Sequence, residues 1–109
     1  MCIRDSDITT RLLVPEGLNA IMRFHTREKL VMAGGEIAGR VFQHLSPKVV
    51  VYTAVADGLE AAEGNLLLDI KGPAQALLSG ERVALNLLQR MCGVATLTRR
   101  YVDLSLIHI

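Results

Sequence analysis

The chain has 109 residues, of which 50% are hydrophobic and 21% are charged, and its net charge at pH 7 is +1. A chain of this length forms one small domain with a modest core. The near-neutral charge gives no general case for binding nucleic acid or an anionic membrane surface, and no apolar run approaches the roughly 18 residues that a membrane span requires.

The two ends of the chain are the first predicted feature, and we interpret both as non-native. Residues 1–6 read MCIRDS and residues 104–109 read LSLIHI. The DNA string ATGTGTATAAGAGACAG followed by a pyrimidine encodes the first end, and its reverse complement encodes the second, which is typical of a sequencing-library adapter. We therefore expect residues 7–103 to be the protein's own sequence, an internal piece of a longer reading frame.

Cys92 is the one cysteine that remains once Cys2 is set aside with the first end. A single cysteine excludes an internal disulfide or a cysteine metal cluster. It fits a reducing compartment, and we expect a cytoplasmic protein. Because no base is near it in the sequence pattern, we predict that Cys92 is a small buried residue and not a nucleophile.

The first patterned native segment is residues 19–26, where apolar and polar residues alternate and predict a half-buried strand. A short apolar run over residues 30–33 predicts a second strand, paired with the first through a tight turn at residues 27–29. That run ends at Gly34-Gly35. Such a pair can cradle an anion before a helix, but it is more typical of a strand-to-helix turn.

After the glycine pair the hydrophobic period changes. Apolar residues recur at helical spacing over residues 36–45 and predict an amphipathic helix of about three turns, which Ser46-Pro47 ends. Residues 48–55 are rich in β-branched side chains and predict a strand. Two glycine-containing turns follow that strand.

Residues 65–71 alternate again and predict a strand that ends at Gly72-Pro73. We expect its inward face to hold Leu66, Leu68 and Ile70, and its outward face to hold Leu67, Asp69 and Lys71. A short helical turn over residues 74–78 precedes the longest helical pattern, over residues 81–103. Polar residues line one face of that helix, namely Arg82, Asn86, Gln89, Gly93, Thr96 and Arg100.

These elements predict an α+β fold: a small α/β sandwich of a mostly antiparallel sheet, with an amphipathic helix and a long C-terminal helix. We assign residues 7–80 to the sandwich domain and residues 81–103 to the long helix. The largely apolar remainder of that helix predicts packing partners on more than one side.

The long helix resembles that of a known enzyme family. Residues 81–99 read ERVALNLLQRMCGVATLTR and resemble the helix of the quinolinate phosphoribosyltransferases, the carboxylating nicotinate-nucleotide pyrophosphorylases. DITT at residues 7–10 resembles the family's GDITT start. REK and VMAG within residues 27–34 resemble its charged turn and VLAG-like segment, and GPA and LL within residues 72–78 resemble its GxAxxLL approach to the helix. Cys92 stands where the family usually has Ser.

The resemblance implies an N-terminal domain whose long helix leads into an incomplete α/β barrel. It implies transfer of a ribose 5-phosphate group from phosphoribosyl pyrophosphate to the nitrogen of quinolinate, with loss of carbon dioxide, giving nicotinate mononucleotide and pyrophosphate in NAD biosynthesis. It also implies Mg2+ on the barrel, and a homodimer or larger homo-oligomer in which one subunit's N-terminal domain covers the other's barrel. We expect residues 7–103 to carry no catalytic or metal-binding residue and to be inactive alone.

Arg82 is the one substrate-binding residue that the resemblance assigns to this chain. The arginine of the family's Glu-Arg pair reaches across the dimer to the carboxylates of quinolinate. A guanidinium suits two adjacent carboxylates because it is planar, permanently charged and able to bind in a bidentate manner. The alternative is an arginine in the first turn of a helix that pairs with Glu81 or with solvent.

Two other functions are compatible with parts of the sequence. One is a sister enzyme of the same architecture, either a nicotinate phosphoribosyltransferase or the molybdenum-transport-associated relative. The Glu81-Arg82 pair favours the quinolinate branch over these relatives, and the residues that would decide between them belong to the barrel. A lipoyl or biotinyl carrier module is suggested by the turn-and-strand pattern over residues 56–71, in which Lys71 would be the modified lysine at a hairpin tip. Against the carrier, Gly72-Pro73 and a helix follow Lys71 instead of a returning strand.

Overall fold

Six strands and two helices make up the regular structure of residues 8–13 and 19–108, the part of the chain that the computed structural model describes. In chain order they are β1 (Ile8–Leu13), β2 (Asn19–Thr26), β3 (Leu30–Val31), α1 (Gly35–Leu45), β4 (Val50–Thr53), β5 (Glu60–Ala61), β6 (Leu66–Pro73) and α2 (Ala74–His108). The predicted α+β class is confirmed. The non-native end predicted at residues 1–6 lies outside the described residues, as does residue 109 of the other end.

The larger sheet has the strand order β1-β2-β6-β4, and all of its neighbouring strands are antiparallel. The predicted alternation over residues 19–26 produces β2, in which Ala20, Met22 and Phe24 are buried on the face that meets the helices. The intervening residues lie on the opposite face, because successive side chains of a strand point to opposite sides. The core therefore lies on one side of this sheet.

The prediction that the second strand pairs with β2 is wrong. β3 instead pairs with β5 in a separate two-stranded sheet, with Leu30 opposite Ala61. The physical reason is that β2 lies between β1 and β6, so both of its edges already have partners.

The predicted outward position of Leu67 is also wrong, since Leu67 is fully buried. Phe24 pairs with Leu68 and His25 pairs with Leu66, so Leu67 is an extra residue on β6. Such a β-bulge breaks the period-two alternation on which the prediction depended.

The α1 helix begins at Gly35, one residue before its predicted start, and ends at Leu45 as predicted. The backbone N–H of Ser46, the next residue, donates to the Phe42 carbonyl. Ala38 and Phe42 face the larger sheet and are fully buried. The ring of Phe42 packs edge-to-face on that of Phe24, with centroids 6.2 Å apart. This aromatic pair joins α1 to the centre of the sheet.

A single continuous helix, α2, replaces the predicted short turn and separate long helix. The two segments are joined through Gly80, which is buried against α1. The side of α2 that faces the core is formed by Leu77, Ala84, Leu88 and Cys92, all fully buried. Although α2 has 35 residues, no helix among the described residues is long and apolar enough to cross a membrane.

Gly80 marks the closest approach of the two helices and supplies a test of the fold. A Cβ atom at this position would lie 2.9 Å from atoms of Phe42 and Leu45. We expect Gly80→Ala to lower the free energy of unfolding by about 1–2 kcal/mol, because overpacking outweighs the gain in helix propensity. Urea denaturation measures this change. Ser79→Ala, at the exposed neighbouring position, is the matched control, and equal stability of the two variants would contradict the prediction.

Candidate functional site

The predicted substrate residue Arg82 follows two residues of α2 that each contact another element. Successive residues of an α-helix point in directions about 100° apart. Gly80 faces α1 and Glu81 faces β1. Arg82 points away from both of these elements and is exposed. The fold thus directs Arg82 away from the core.

Glu81 is hydrogen-bonded to the edge strand of the larger sheet and not to Arg82. The Thr10 hydroxyl donates to Glu81 Oε2 at 2.6 Å. Adjacent residues on a helix do not face each other, which explains why Glu81 and Arg82 do not pair. Within the described part of the chain, no hydrogen bond or ion pair engages the Arg82 guanidinium. An exposed guanidinium of this kind can bind a carboxylate in a bidentate manner.

The polar residues predicted along one face of α2 do not all reach the surface. Arg82, Asn86 and Arg100 are exposed, whereas Gln89 is only 5% exposed. Thr96 is turned toward β3, where its hydroxyl accepts the Val31 N–H at 2.9 Å and donates to the Cys92 carbonyl at 2.6 Å. The two ends of the polar face are therefore exposed, whereas Thr96 contacts β3 of the smaller sheet.

Cys92 is completely buried, as the sequence predicted. Its thiol lies 3.4 Å from both the backbone nitrogen and the carbonyl oxygen of Ala33. Burial raises the pKa of the Cys92 thiol, the hydrogen bond from Ala33 opposes this rise, and the charge of Asp57 adds to it. A buried thiol with a raised pKa is a poor nucleophile.

The glycine pair before α1 forms a strand-to-helix turn. Gly34 has φ of +81°, a conformation that other residues rarely adopt, and Asp57 Oδ1 accepts the Gly35 N–H at 3.1 Å. A carboxylate of the chain itself therefore occupies the N-terminus of α1, where a negative charge is favourable. The contact of Asp57 with the start of α1 was not predicted from the sequence. The pattern that could have indicated it is the Asp57-Gly58 pair, which is typical of a turn.

Lys71 does not lie where a carrier module would need it. It is within β6, paired with Ile21 of β2 on one side and with Val50 of β4 on the other. A modified lysine must stand at an exposed hairpin tip, and a position inside a central strand contradicts the carrier alternative. Nor do the residues described in the structure include a group of three or more His, Cys, Asp or Glu side chains arranged to hold a metal ion.

Comparison with known proteins identifies the domain. A family model described as "Quinolinate phosphoribosyl transferase, N-terminal domain" matches residues 7–92. The chain is 30% identical over 97 residues to "Quinolinate phosphoribosyltransferase [decarboxylating] 1" of Nicotiana glauca, with 89% of the chain and 28% of that relative covered. It is 38% identical over 81 residues to "Probable nicotinate-nucleotide pyrophosphorylase [carboxylating]" of Synechocystis, with 74% and 28% covered.

The solved structures agree with this assignment. NadC from Streptococcus pyogenes superposes with a TM-score of 0.76 at 34% identity, covering 82% of this chain and 32% of that chain. The chain thus spans 28% of the length of the two curated relatives and a third of that structure.

The buried thiol gives a prediction that is independent of catalysis. Because its pKa is raised, Cys92 has less thiolate at about pH 8 than a free cysteine has, and its burial also blocks access. We expect alkylation of Cys92 to be roughly 100-fold slower in the folded chain than in concentrated urea. Peptide mass spectrometry over time measures both rates. Equal rates in the two conditions would contradict the buried position.

Proposed function

The chain belongs to the quinolinate phosphoribosyltransferase family, and from this we propose that it is the N-terminal part of an enzyme that makes nicotinate mononucleotide. The proposed reaction joins quinolinate and phosphoribosyl pyrophosphate, with release of carbon dioxide and pyrophosphate, in NAD biosynthesis. The family model over residues 7–92 and the names of the relatives support this activity.

The observation that carries the proposal is the exposed Arg82 guanidinium within the long helix α2. We propose that Arg82 binds the carboxylates of quinolinate. Its planar donors match a carboxylate in a way that a lysine ammonium does not. Gly80 and Glu81 hold the adjacent turn of α2, so little conformational freedom of the backbone is lost when the ligand binds.

We propose that Arg82 acts in the active site of a second subunit, in a homodimer or larger homo-oligomer. Exposed apolar side chains on the native part of α2 support an interface along this helix: Leu78, Val83, Val94, Leu97, Tyr101 and Val102. A patch of this kind is typical of a surface that another protein surface covers.

Two further features of the enzyme are part of the proposal. We propose that the Mg2+ that the resemblance implies is bound on the barrel together with the pyrophosphate. The free thiol of Cys92 supports a reducing compartment, and we propose the cytoplasm, although some plant relatives are named as mitochondrial or chloroplastic.

We also propose that residues 7–80 form the sandwich domain, that residues 81–103 lead toward the barrel, and that residues 1–6 and 104–109 are not native. The start of the family match at residue 7 supports the first boundary. Sequencing the genomic locus tests the ends, and genomic codons for MCIRDS or LSLIHI would refute this part of the proposal.

Replacing Arg82 tests the substrate contact in the full-length enzyme. We expect Arg82→Ala to raise the Michaelis constant for quinolinate more than about tenfold, because a charge-assisted bidentate contact is lost, with little change in melting temperature. Arg82→Lys is expected to recover only a small part of this loss. Arg90→Ala, at another exposed position of α2, is the matched control. An unchanged Michaelis constant in Arg82→Ala would refute the proposed contact.

The chain by itself is expected to have no phosphoribosyltransferase activity. A complete enzyme would place Arg82 beside the catalytic groups of a barrel, and the chain covers only 28% of its relatives. Formation of nicotinate mononucleotide can be followed by chromatography, with the full-length enzyme as the positive control. Turnover by the isolated chain would contradict the expectation that catalysis depends on the barrel.

A further inference from the structure

We propose that Thr10 and Glu81 form a positioning pair that sets the direction in which Arg82 projects from α2. This inference rests on the proposed function, because it concerns how the same substrate arginine is held. Neither Thr10 nor Glu81 is proposed to touch the substrate. Their role is to fix the rotation of the helix around its own axis.

The first support is the hydrogen bond between the two residues. The Thr10 hydroxyl donates to Glu81 Oε2 at 2.6 Å, a short distance that is typical of a charge-assisted hydrogen bond to a carboxylate. The two residues are 71 positions apart in the chain, and the bond is partly buried. It therefore joins two separate elements, and partial burial protects it from full competition by water.

The second support is that Thr10 itself is held in place. In the larger sheet Thr10 pairs with Phe24, which is fully buried and packs on Phe42 of α1. The hydroxyl thus projects from a strand whose register is fixed by the core. Glu81 is consequently bound to a fixed point and not to a mobile surface group.

The third support is the contact of Gly80 with α1. The absence of a side chain at Gly80 brings α2 against Phe42 and Leu45. This contact and the Glu81 hydrogen bond act on α2 in directions about 100° apart. Two such contacts on consecutive residues determine the rotation of the helix, and the direction of Arg82 follows from it.

The expected size of the effect follows from helix geometry. A rotation of α2 by about 10° would move an atom about 6 Å from the helix axis by about 1 Å. A misplacement of about 1 Å in a binding constellation can reduce catalytic efficiency by as much as about 100-fold. Loss of one of the two contacts is therefore expected to weaken quinolinate binding while the fold persists.

The test uses the full-length enzyme and two variants that remove the bond from either side. We expect Thr10→Val and Glu81→Ala each to raise the Michaelis constant for quinolinate about fivefold, with a smaller effect on kcat and on the constant for phosphoribosyl pyrophosphate. Thr10→Ser keeps the hydroxyl and is expected to restore the wild-type value. Thr9→Val, at the exposed position next to Thr10, is the matched control.

A double-mutant cycle separates positioning from a general structural role. If Thr10 acts through Arg82, then Thr10→Val has no further effect on the quinolinate constant in an Arg82→Ala background. Additive effects of the two substitutions would overturn the inference. It would also be overturned if Arg82→Ala raises the Michaelis constant for quinolinate while Thr10→Val and Glu81→Ala both leave it unchanged. Unfolding of both variants, detected by circular dichroism, would also overturn it. An unchanged constant in Arg82→Ala would refute the proposed function itself.

Discussion

The buried side of α2 contacts α1 and strands of both sheets, and the other elements are arranged around that contact. Leu77, Ala84, Leu88 and Cys92 follow helical spacing along this side and are fully buried. The apolar surfaces of a helix and of a sheet are both stabilised when they are buried against each other and away from water. One apolar side of α2 therefore packs on two sheets that share no hydrogen-bonded strand pair. Removing α2 would expose the inward faces of both sheets at once.

The same contact gives α2 a buried side and an exposed side. Residues on the buried side stabilise the domain, whereas Arg82, about 200° from Gly80 around the axis, is directed to solvent. Precision in a binding residue comes from the rigidity of the element that carries it. A guanidinium on this helix is better suited to a defined ligand geometry than one on a loop would be.

Local sequence patterns predicted the strongly periodic elements. They failed for features that depend on contacts between residues far apart in the chain. The alternation in β2 and the helical spacing in α1 depend on neighbouring residues alone, so both were predicted. The short strand β5 carries too few residues for a periodic signal, and β1 combines threonines with an arginine that masks its alternation. The bulge at Leu67 and the Thr10–Glu81 bond arise from pairing across the sheet and across 71 positions, which no local window contains. The family resemblance suggested Arg82 as a substrate residue, and the fold showed the hydrogen bond that its neighbour Glu81 makes with Thr10.

The hydrogen bonds at β3 have a consequence for how the chain can associate. On the side of this segment away from β5, the Val31 N–H is taken by the Thr96 hydroxyl and the Ala33 N–H by the Cys92 sulfur. Exposed strand edges are templates onto which a strand from another molecule can add. Here two side chains of α2 occupy the donors that such a strand would need. Edge-to-edge addition of a strand is thereby blocked at the β3 edge of the smaller sheet.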